Sequence, residues 1–238
     1  MPGNAPDQRG SGADVCRLWS VDRYPRPVEI AGLILAAGAG SRFGMPKALV
    51  IYHGSTLVQR AAQTLTAAGC TRTVVVIGAE ADLVRAAAPG LEFVENPEWP
   101  SGIASSLRLG LAALRGGAAG AVVVLLADMP GVTPDSVRRV TAGATPATLA
   151  MGGYGEGRGH PVLLGRDHWD GVAASANGDV GARDYLRAHE DLLRVVPVDD
   201  VADDFDLDTP EQAAMRDVFD ELQRGGKATC GNGHETAG

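Results

Sequence analysis

The stretch Leu33-Ile34-Leu35-Ala36-Ala37-Gly38-Ala39-Gly40-Ser41-Arg42-Phe43-Gly44-Met45-Pro46-Lys47 runs from an apolar segment straight into a glycine-rich turn that ends on a lysine. A short apolar run bounded by glycine reads as a buried strand. The turn after it reads as a phosphate-handling loop. Gly38, Gly40 and Gly44 remove side chains where backbone must come close to a ligand, and glycine takes positive φ at no steric cost. Arg42 and Lys47 supply cationic donors suited to phosphate oxygens. The plainer alternative is a strand-to-helix turn with incidental basic residues, but two cations and three glycines coincide directly after a buried-type strand.

The loop is neither of the two common nucleotide-binding patterns. In a P-loop the lysine is followed by Ser or Thr, whereas Lys47 follows Pro46 and precedes Ala48. A dinucleotide fingerprint requires G-x-G-x-x-G, and the glycines here read G-x-G-x-x-x-G, with Arg42 inside the longer interval.

Outward from this loop, apolar runs alternate with amphipathic segments. Strands are expected over 30–36, 73–77, 91–94, 121–127, 148–151, 161–164 and 193–197, and helices over 56–69, 81–88, 105–114, 134–141, 182–189 and 210–223. Such alternation implies an α/β chain whose mostly parallel sheet is covered on both faces. Ligands of such sheets bind at the carboxyl ends of the strands, where the loop after Ala37 emerges. The 238 residues suffice for one large domain, expected over 28–223. The polar, Gly/Pro-rich segments 1–27 and 224–238 read as mobile extensions.

Composition narrows the partners. Hydrophobic residues make up 45% and charged residues 21%, ordinary for a soluble globular protein. A net charge of -8 argues against nucleic acid as a partner, because a polyanion selects a basic face, so phosphate binding must be local to the loop. Cys16, Cys70 and Cys230 form no C-x-x-C pair and support neither a disulfide framework nor a zinc site. No run reaches membrane-spanning length and no signal peptide is visible, so the expectation is a cytoplasmic protein without a membrane partner.

Four further segments carry polar chemistry. The run Val122–Pro130 is a continuous apolar strand ending in one carboxylate, Asp128, which reads either as a magnesium ligand or as a turn residue before Pro130. In 203–211, Asp206 and Asp208 fall on one side of an extended chain, and Asp208 either caps the helix that starts at Thr209-Pro210 or completes a metal site with Asp128. The segment Asn96–Arg108 is a small-residue turn entering a helix, with Ser101, Gly102, Ser105 and Ser106 as caps or as contacts to a nucleobase, ribose or phosphate. The run 152–161 looks too glycine-rich for a packed element and reads as a mobile substrate loop with Arg158 and His160 as its polar contacts. Asp179, in Gly178-Asp179-Val180-Gly181, lies near the same rim as a contact or a cap.

Taken together, these motifs, in this order over 28–223, resemble the molybdenum cofactor nucleotidyltransferases, and more closely their cytidylyltransferase branch. They are Leu35-Ala36-Ala37-Gly38-x-Gly40-x-Arg42-x-Gly44-x-Pro46-Lys47, the Asn96-Pro97 segment, Ala127-Asp128-Met129-Pro130, Gly159-His160-Pro161 and Asp206-Leu207-Asp208. The resemblance implies a three-layer α/β/α Rossmann-like nucleotidyltransferase fold. It implies transfer of CMP from CTP, with Mg2+, to the terminal phosphate of molybdopterin, giving molybdopterin cytosine dinucleotide and pyrophosphate. Leu-Ala-Ala-Gly, in place of the Leu-Ala-Gly-Gly of the guanylyl branch, favours cytidine over another nucleoside triphosphate. By the same resemblance Leu35, Ala36, Ala37, Gly38, Gly40, Ser41, Arg42 and Lys47, with Asn96, Ser101, Gly102, Ser105 and Ser106, bind the nucleotide. Arg42 and Lys47 are the catalytic cations, Asp128 and Asp208 hold the metal, and Arg158, His160 and Asp179 face the acceptor. A molybdoenzyme or its accessory protein is then a further partner. The rival readings are transfer to a sugar or polyol phosphate, and an accessory protein that binds nucleotide or cofactor without turnover.

Overall fold

The computed structural model describes residues 28–41, 43–209 and 211–212. The two extensions, Arg42 and nearly all of the helix expected over 210–223 lie outside the described residues.

Among the described residues the chain forms β1 (Ile30–Ala36), a small hairpin of β2 (Ile51–Tyr52) and β3 (Ser55–Thr56), α1 (Leu57–Ala68), β4 (Arg72–Ile77), α2 (Ala81–Ala87) and β5 (Glu92–Glu95). There follow α3 (Ile103–Leu114), β6 (Ala121–Leu126), α4 (Pro134–Thr141), β7 (Leu149–Tyr154), β8 (Gly157–Gly165), α5 (Trp169–Ser175), α6 (Arg183–Ala188) and β9 (Leu193–Pro197). Seven strands make one sheet in the order β5-β4-β1-β6-β8-β7-β9. Only β8 is antiparallel to its neighbours; the pairs β4/β5, β1/β4, β1/β6 and β7/β9 are parallel. This is the expected mostly parallel sheet with helices on both faces, a Rossmann-like three-layer arrangement.

Period-2 alternation sorts the strand residues between two cores. Ile34 and Ala36 of β1, Val75 and Ile77 of β4, and Val123 and Leu125 of β6 pack toward α1, α2 and α4. Their neighbours Leu33, Leu35, Val74, Val76, Val122 and Val124 pack toward α3, α5 and α6. A strand covered on both faces needs an unbroken apolar sequence, which explains why 33–36 and 121–126 contain no polar residue. The helices start where the chain offers caps. Thr56 accepts from the Gln59 N–H while Gln59 bonds back to the Thr56 N–H, and Thr133 and Ser136 make the same reciprocal pair ahead of α4.

The glycine run after Met151 is not a loop. It is the β7/β8 hairpin, with Gly152 opposite Gly159, Gly153 opposite Arg158 and Tyr154 opposite Gly157. Glycine is required there by packing: a Cβ on Gly153 would lie 2.8 Å from Val195, and one on Gly152 would lie 3.0 Å from the His160 carbonyl oxygen. The run therefore joins the sheet at its crowded end. No helix among the described residues is long and apolar enough to cross a membrane.

Candidate functional site

β1 and β6 run side by side and in the same direction, with Leu35 opposite Leu126, so their carboxyl ends deliver the glycine-rich loop and Asp128 to one place. Backbone bonds fix the junction: the Ala127 N–H donates to Leu35 O (3.2 Å), and the Ala79 N–H donates to Ala37 O (3.0 Å). Gly40 has φ +59, and a Cβ on it would lie 2.2 Å from the Met45 carbonyl oxygen and 2.7 Å from the Lys47 amide. The loop closes so tightly on itself that only glycine fits, and that closure carries Lys47 back to the sheet edge. Gly38 is the opposite case. It lies on the wall of a cavity, and a Cβ there would meet nothing of the protein within 4 Å.

Lys47 Nζ lies 2.7 Å from Asp128 Oδ2 and 2.6 Å from Asp208 Oδ1. Asp208 is brought in by its neighbour. Leu207 is fully buried against Val50, Tyr52 and Leu57, and its N–H donates to Asp128 O at 3.0 Å. Burial pulls the Lys47 pKa down, but hydrogen bonds and charge attraction from the two carboxylates outweigh it and leave the pKa raised, so the side chain is a firm cation. Asp206 feels the surplus of negative charge. Burial first, then Asp128 and Asp208, push its pKa up to about 6. Among the described residues no group of three or more His, Cys, Asp or Glu side chains is arranged to hold a metal.

The cavity beside this triad has a volume of about 410 Å³. Its wall includes Leu35, Ala36, Ala37, Gly38, Gly40 and Lys47 from the first loop, Gly102 and Ser106 from the entrance to α3, and Asp128 and Asp179. The other expected nucleotide contacts are not on that wall. Asn96 is 3% exposed, and its Nδ2 donates to Ser105 Oγ (2.8 Å) and Ser106 Oγ (2.9 Å) while its Oδ1 accepts from the Glu98 N–H (3.0 Å). Ser105 bonds back to the Glu98 and Gly102 carbonyls, and the exposed Ser101 donates to Glu98 O. These residues shape the turn rather than its surface, and Ser41 is exposed outside the cavity. Arg42 lies outside the described residues.

Trp99 is the wall residue that sequence reading passed over. Its ring sits directly on Gly78, where a Cβ would lie 2.6 Å from it, and the ring faces the cavity beside Pro100. The available signal was an aromatic residue inside an otherwise small and polar turn.

A second cavity, of about 550 Å³, adjoins the first, and the two share Leu35, Ile103, Leu126 and Asp179. Arg158 and His160, at the start of β8, line it. Arg158 is exposed and paired to Glu190 at 2.7 Å. His160 is half-buried, with Nδ1 2.9 Å from Val124 O. A carbonyl only accepts, so Nδ1 carries the proton. Burial lowers the His160 pKa against the opposing pull of the Val124 carbonyl and of Asp128, so the ring is a neutral, backbone-tethered imidazole on a strand rather than a polar contact on a mobile loop. Asp179 reaches both cavities because Gly102 has no side chain: a Cβ there would lie 2.4 Å from the Gly178 carbonyl, and the Ala104 N–H bonds Gly178 O at 3.0 Å.

The sequence profile of the MobA-like NTP transferase domain matches residues 32–192, which hold most of β1, every element from β2 to α6, the lining of the first cavity and all of the second cavity's lining but Leu193. The chain belongs to this family. Within the MobA-like group it is 36% identical over 193 residues to a protein of Paenarthrobacter nicotinovorans named nicotine blue oxidoreductase, covering 77% of this chain and 94% of the relative. It is 32% identical over 198 residues to the molybdenum cofactor guanylyltransferase of Rhodobacter capsulatus, covering 79% and 94%. Among solved structures, the Rv0371c protein of Mycobacterium tuberculosis H37Rv in complex with manganese superposes with a TM-score of 0.65 at 28% identity, covering 79% of this chain and 97% of that one. The MobA-like chain is thus a nucleotidyltransferase by family.

Replacing Asn96 with Ala removes two buried donors and one acceptor at once, so Ser106 and the Glu98 N–H lose this partner and Ser105 keeps only its bonds to the Glu98 and Gly102 carbonyls. Asn96→Ala should lower stability by about 1–3 kcal/mol. Urea unfolding checks this as a lower midpoint at unchanged slope.

Proposed function

We propose that this protein transfers CMP from CTP to the terminal phosphate of molybdopterin, forming molybdopterin cytosine dinucleotide and pyrophosphate. The observation that carries the reading is the Lys47 ammonium bracketed by Asp128 and Asp208 on the wall of one cavity, with a second, arginine-rimmed cavity adjoining it. One cavity for each substrate, meeting at a cationic group, is what transfer between two phosphorylated partners requires.

The donor set fits a divalent ion. Two hard carboxylate oxygens from separate segments, Asp128 Oδ2 and Asp208 Oδ1, lie 2.7 Å and 2.6 Å from the Lys47 ammonium, which neutralises part of their charge, and magnesium is commonly held by one or two carboxylates plus phosphate oxygens and water. Asp128 and Asp208 would hold it, and the solved manganese complex of a relative supports a divalent ion in this fold. When bound, the ion supplies charge neutralisation to the triphosphate.

The protein's own part is positioning and electrostatics. The acceptor's terminal phosphate forms a new P–O bond at the α-phosphorus of CTP as the bond to the departing pyrophosphate breaks. That nucleophile is already substantially ionised near neutral pH, since its second pKa is about 6, so no protein base has to take a proton. Lys47 meets the charge that builds on pyrophosphate. Gly38 leaves space for phosphate oxygens to approach backbone N–H groups, and Trp99 and Pro100 provide an apolar surface for the nucleoside. The Leu-Ala-Ala-Gly sequence supports cytidine.

A second reading is favoured by one observation, the relative at 36% identity that is named an oxidoreductase. Purified protein incubated with magnesium and each of the four nucleoside triphosphates, with and without molybdopterin, separates the readings through pyrophosphate release. Release only with CTP plus molybdopterin is expected. Release when a sugar or polyol phosphate is added instead selects the rival acceptor, and redox turnover without pyrophosphate selects the oxidoreductase. No turnover under any condition selects a binding or delivery role.

Two substitutions test the site itself. Lys47→Ala should lower turnover at saturating nucleotide more than about tenfold, a loss of at least about 1.4 kcal/mol of transition-state stabilisation. Unchanged turnover would remove Lys47 from the chemistry. Gly38→Ala should leave the melting temperature nearly unchanged, because its Cβ meets no protein atom, yet raise KM for the nucleotide, which steady-state kinetics reads directly.

A further inference from the structure

Three consecutive amides hold the backbone that carries Asp208. The Leu207 N–H donates to Asp128 O at 3.0 Å, the Asp208 N–H to Gln212 Oε1 at 2.8 Å, and the Thr209 N–H to the same Oε1 at 3.0 Å. The Gln212 N–H returns to Thr209 Oγ1 at 3.3 Å, so Thr209 and Gln212 form a reciprocal pair like those ahead of α1 and α4. One bond sets this pair apart. Ahead of α1 and α4 the returning side chain accepts, among the described residues, from the cap residue alone: Gln59 Oε1 from the Thr56 N–H and Ser136 Oγ from the Thr133 N–H. Gln212 uses both lone pairs of its carbonyl oxygen, and the second reaches back past the cap to the residue whose carboxylate lies 2.6 Å from Lys47 Nζ. Helix capping alone does not require that bond. Upstream, the Asp203 N–H donates to Gly131 O at 3.3 Å, and a Cβ on Gly131 would lie 2.0 Å from Asp203 Oδ1. The 203–208 segment is therefore seated directly on the turn that follows Asp128.

We propose that Gln212 is a positioning residue, fixing the backbone of Asp208 so that its carboxylate stays turned toward Lys47 and toward a divalent ion shared with Asp128. Asp208 is the more exposed of the two carboxylates, 41% against 21%, so its surroundings restrain the side chain less and the backbone restraint counts for more. Without the Gln212 carbonyl the amides of Asp208 and Thr209 turn to water, the peptide unit between them is free to rotate, and the carboxylate moves off its line to Lys47. Asp128 keeps its place, because the pairing of β1 with β6 sets it. Partners that orient a metal-holding carboxylate in this way typically contribute about 10–100-fold to metal affinity. That the ion serves CMP transfer rests on the reading above.

The test uses the full chain titrated with manganese alone, with bound and free ion separated by electron paramagnetic resonance, and hydrogen exchange at the Asp208 and Thr209 amides followed by NMR. Gln212→Met keeps the length of the side chain but not the acceptor, and Gln212→Ala removes both. Each should speed exchange at the two amides and weaken manganese binding at least about tenfold. Gln212→Glu keeps acceptor oxygens and should bind manganese within about threefold of wild type. Thr209→Val removes the cap hydroxyl and leaves the Gln212 carbonyl; it should lower the melting temperature yet keep the manganese affinity and the protection of the Asp208 amide. Equal affinity in wild type and Gln212→Met overturns the proposal, as does an equal loss in Thr209→Val, no recovery in Gln212→Glu, or no manganese binding by wild type. In a separate arm, Gln212→Met should raise the magnesium concentration for half-maximal pyrophosphate release more than it lowers kcat. A wild type that binds manganese and releases no pyrophosphate defeats the reaction assigned above, while the manganese titrations still decide the role of Gln212.

Discussion

Lys47 holds its ammonium between Asp128 and Asp208, and three stretches of chain that are far apart in sequence meet through that contact. The pairing is only partly buried, with the lysine side chain 23% exposed and the carboxylates 21% and 41%. Attraction at such a place is substantially offset by desolvation, so ion pairing does not by itself assemble the segments. The backbone does that work. Parallel pairing of β1 with β6 sets the loop beside Asp128, the Leu207 N–H bonds the Asp128 carbonyl, and the buried Leu207 side chain pins the segment that carries Asp208. Charge then completes what packing has positioned. Two carboxylates against one ammonium leave net negative charge at the sheet edge, which adds to burial, the larger cause, in raising the pKa of Asp206.

The sheet was legible wherever local and tertiary demands agree. β1, α4 and β9 begin and end where the sequence pattern places them, β1 because a strand covered on both faces must be continuously apolar and α4 because Thr133-Pro134 is a strong helix start, whereas β9 is a largely exposed edge strand. The β7/β8 hairpin was misread because Gly152 and Gly153 are depleted in strands by local preference, while the need for glycine comes from the His160 carbonyl and Val195, which only the fold brings near. α5 was missed altogether. It has seven residues with a glycine among them, too few turns to establish a period, and it is held by tertiary contacts, the buried Trp169 with its indole N–H donating to Leu164 O.

The site divides in the same way. Lys47, Asp128 and Asp208 stood out because strand ends and chain reversals mark the carboxyl edge of a parallel sheet. Direction within a turn is not encoded in residue type. Asn96 and Ser105 point inward to satisfy each other, Ser106 two residues from Ala104 reaches the cavity, and Trp99 lies over Gly78; all four come from one short polar segment.

The segment 177–181 touches both cavities through Asp179 and is seated on Gly102 without an intervening side chain. A ligand on one side that prefers one position of this segment alters the surface met by a ligand on the other. Thermodynamic linkage makes that influence mutual: whatever factor the first ligand applies to the affinity of the second, the second applies to the first. A single aspartate-bearing turn, lying against bare backbone, is thus wall to both cavities at once.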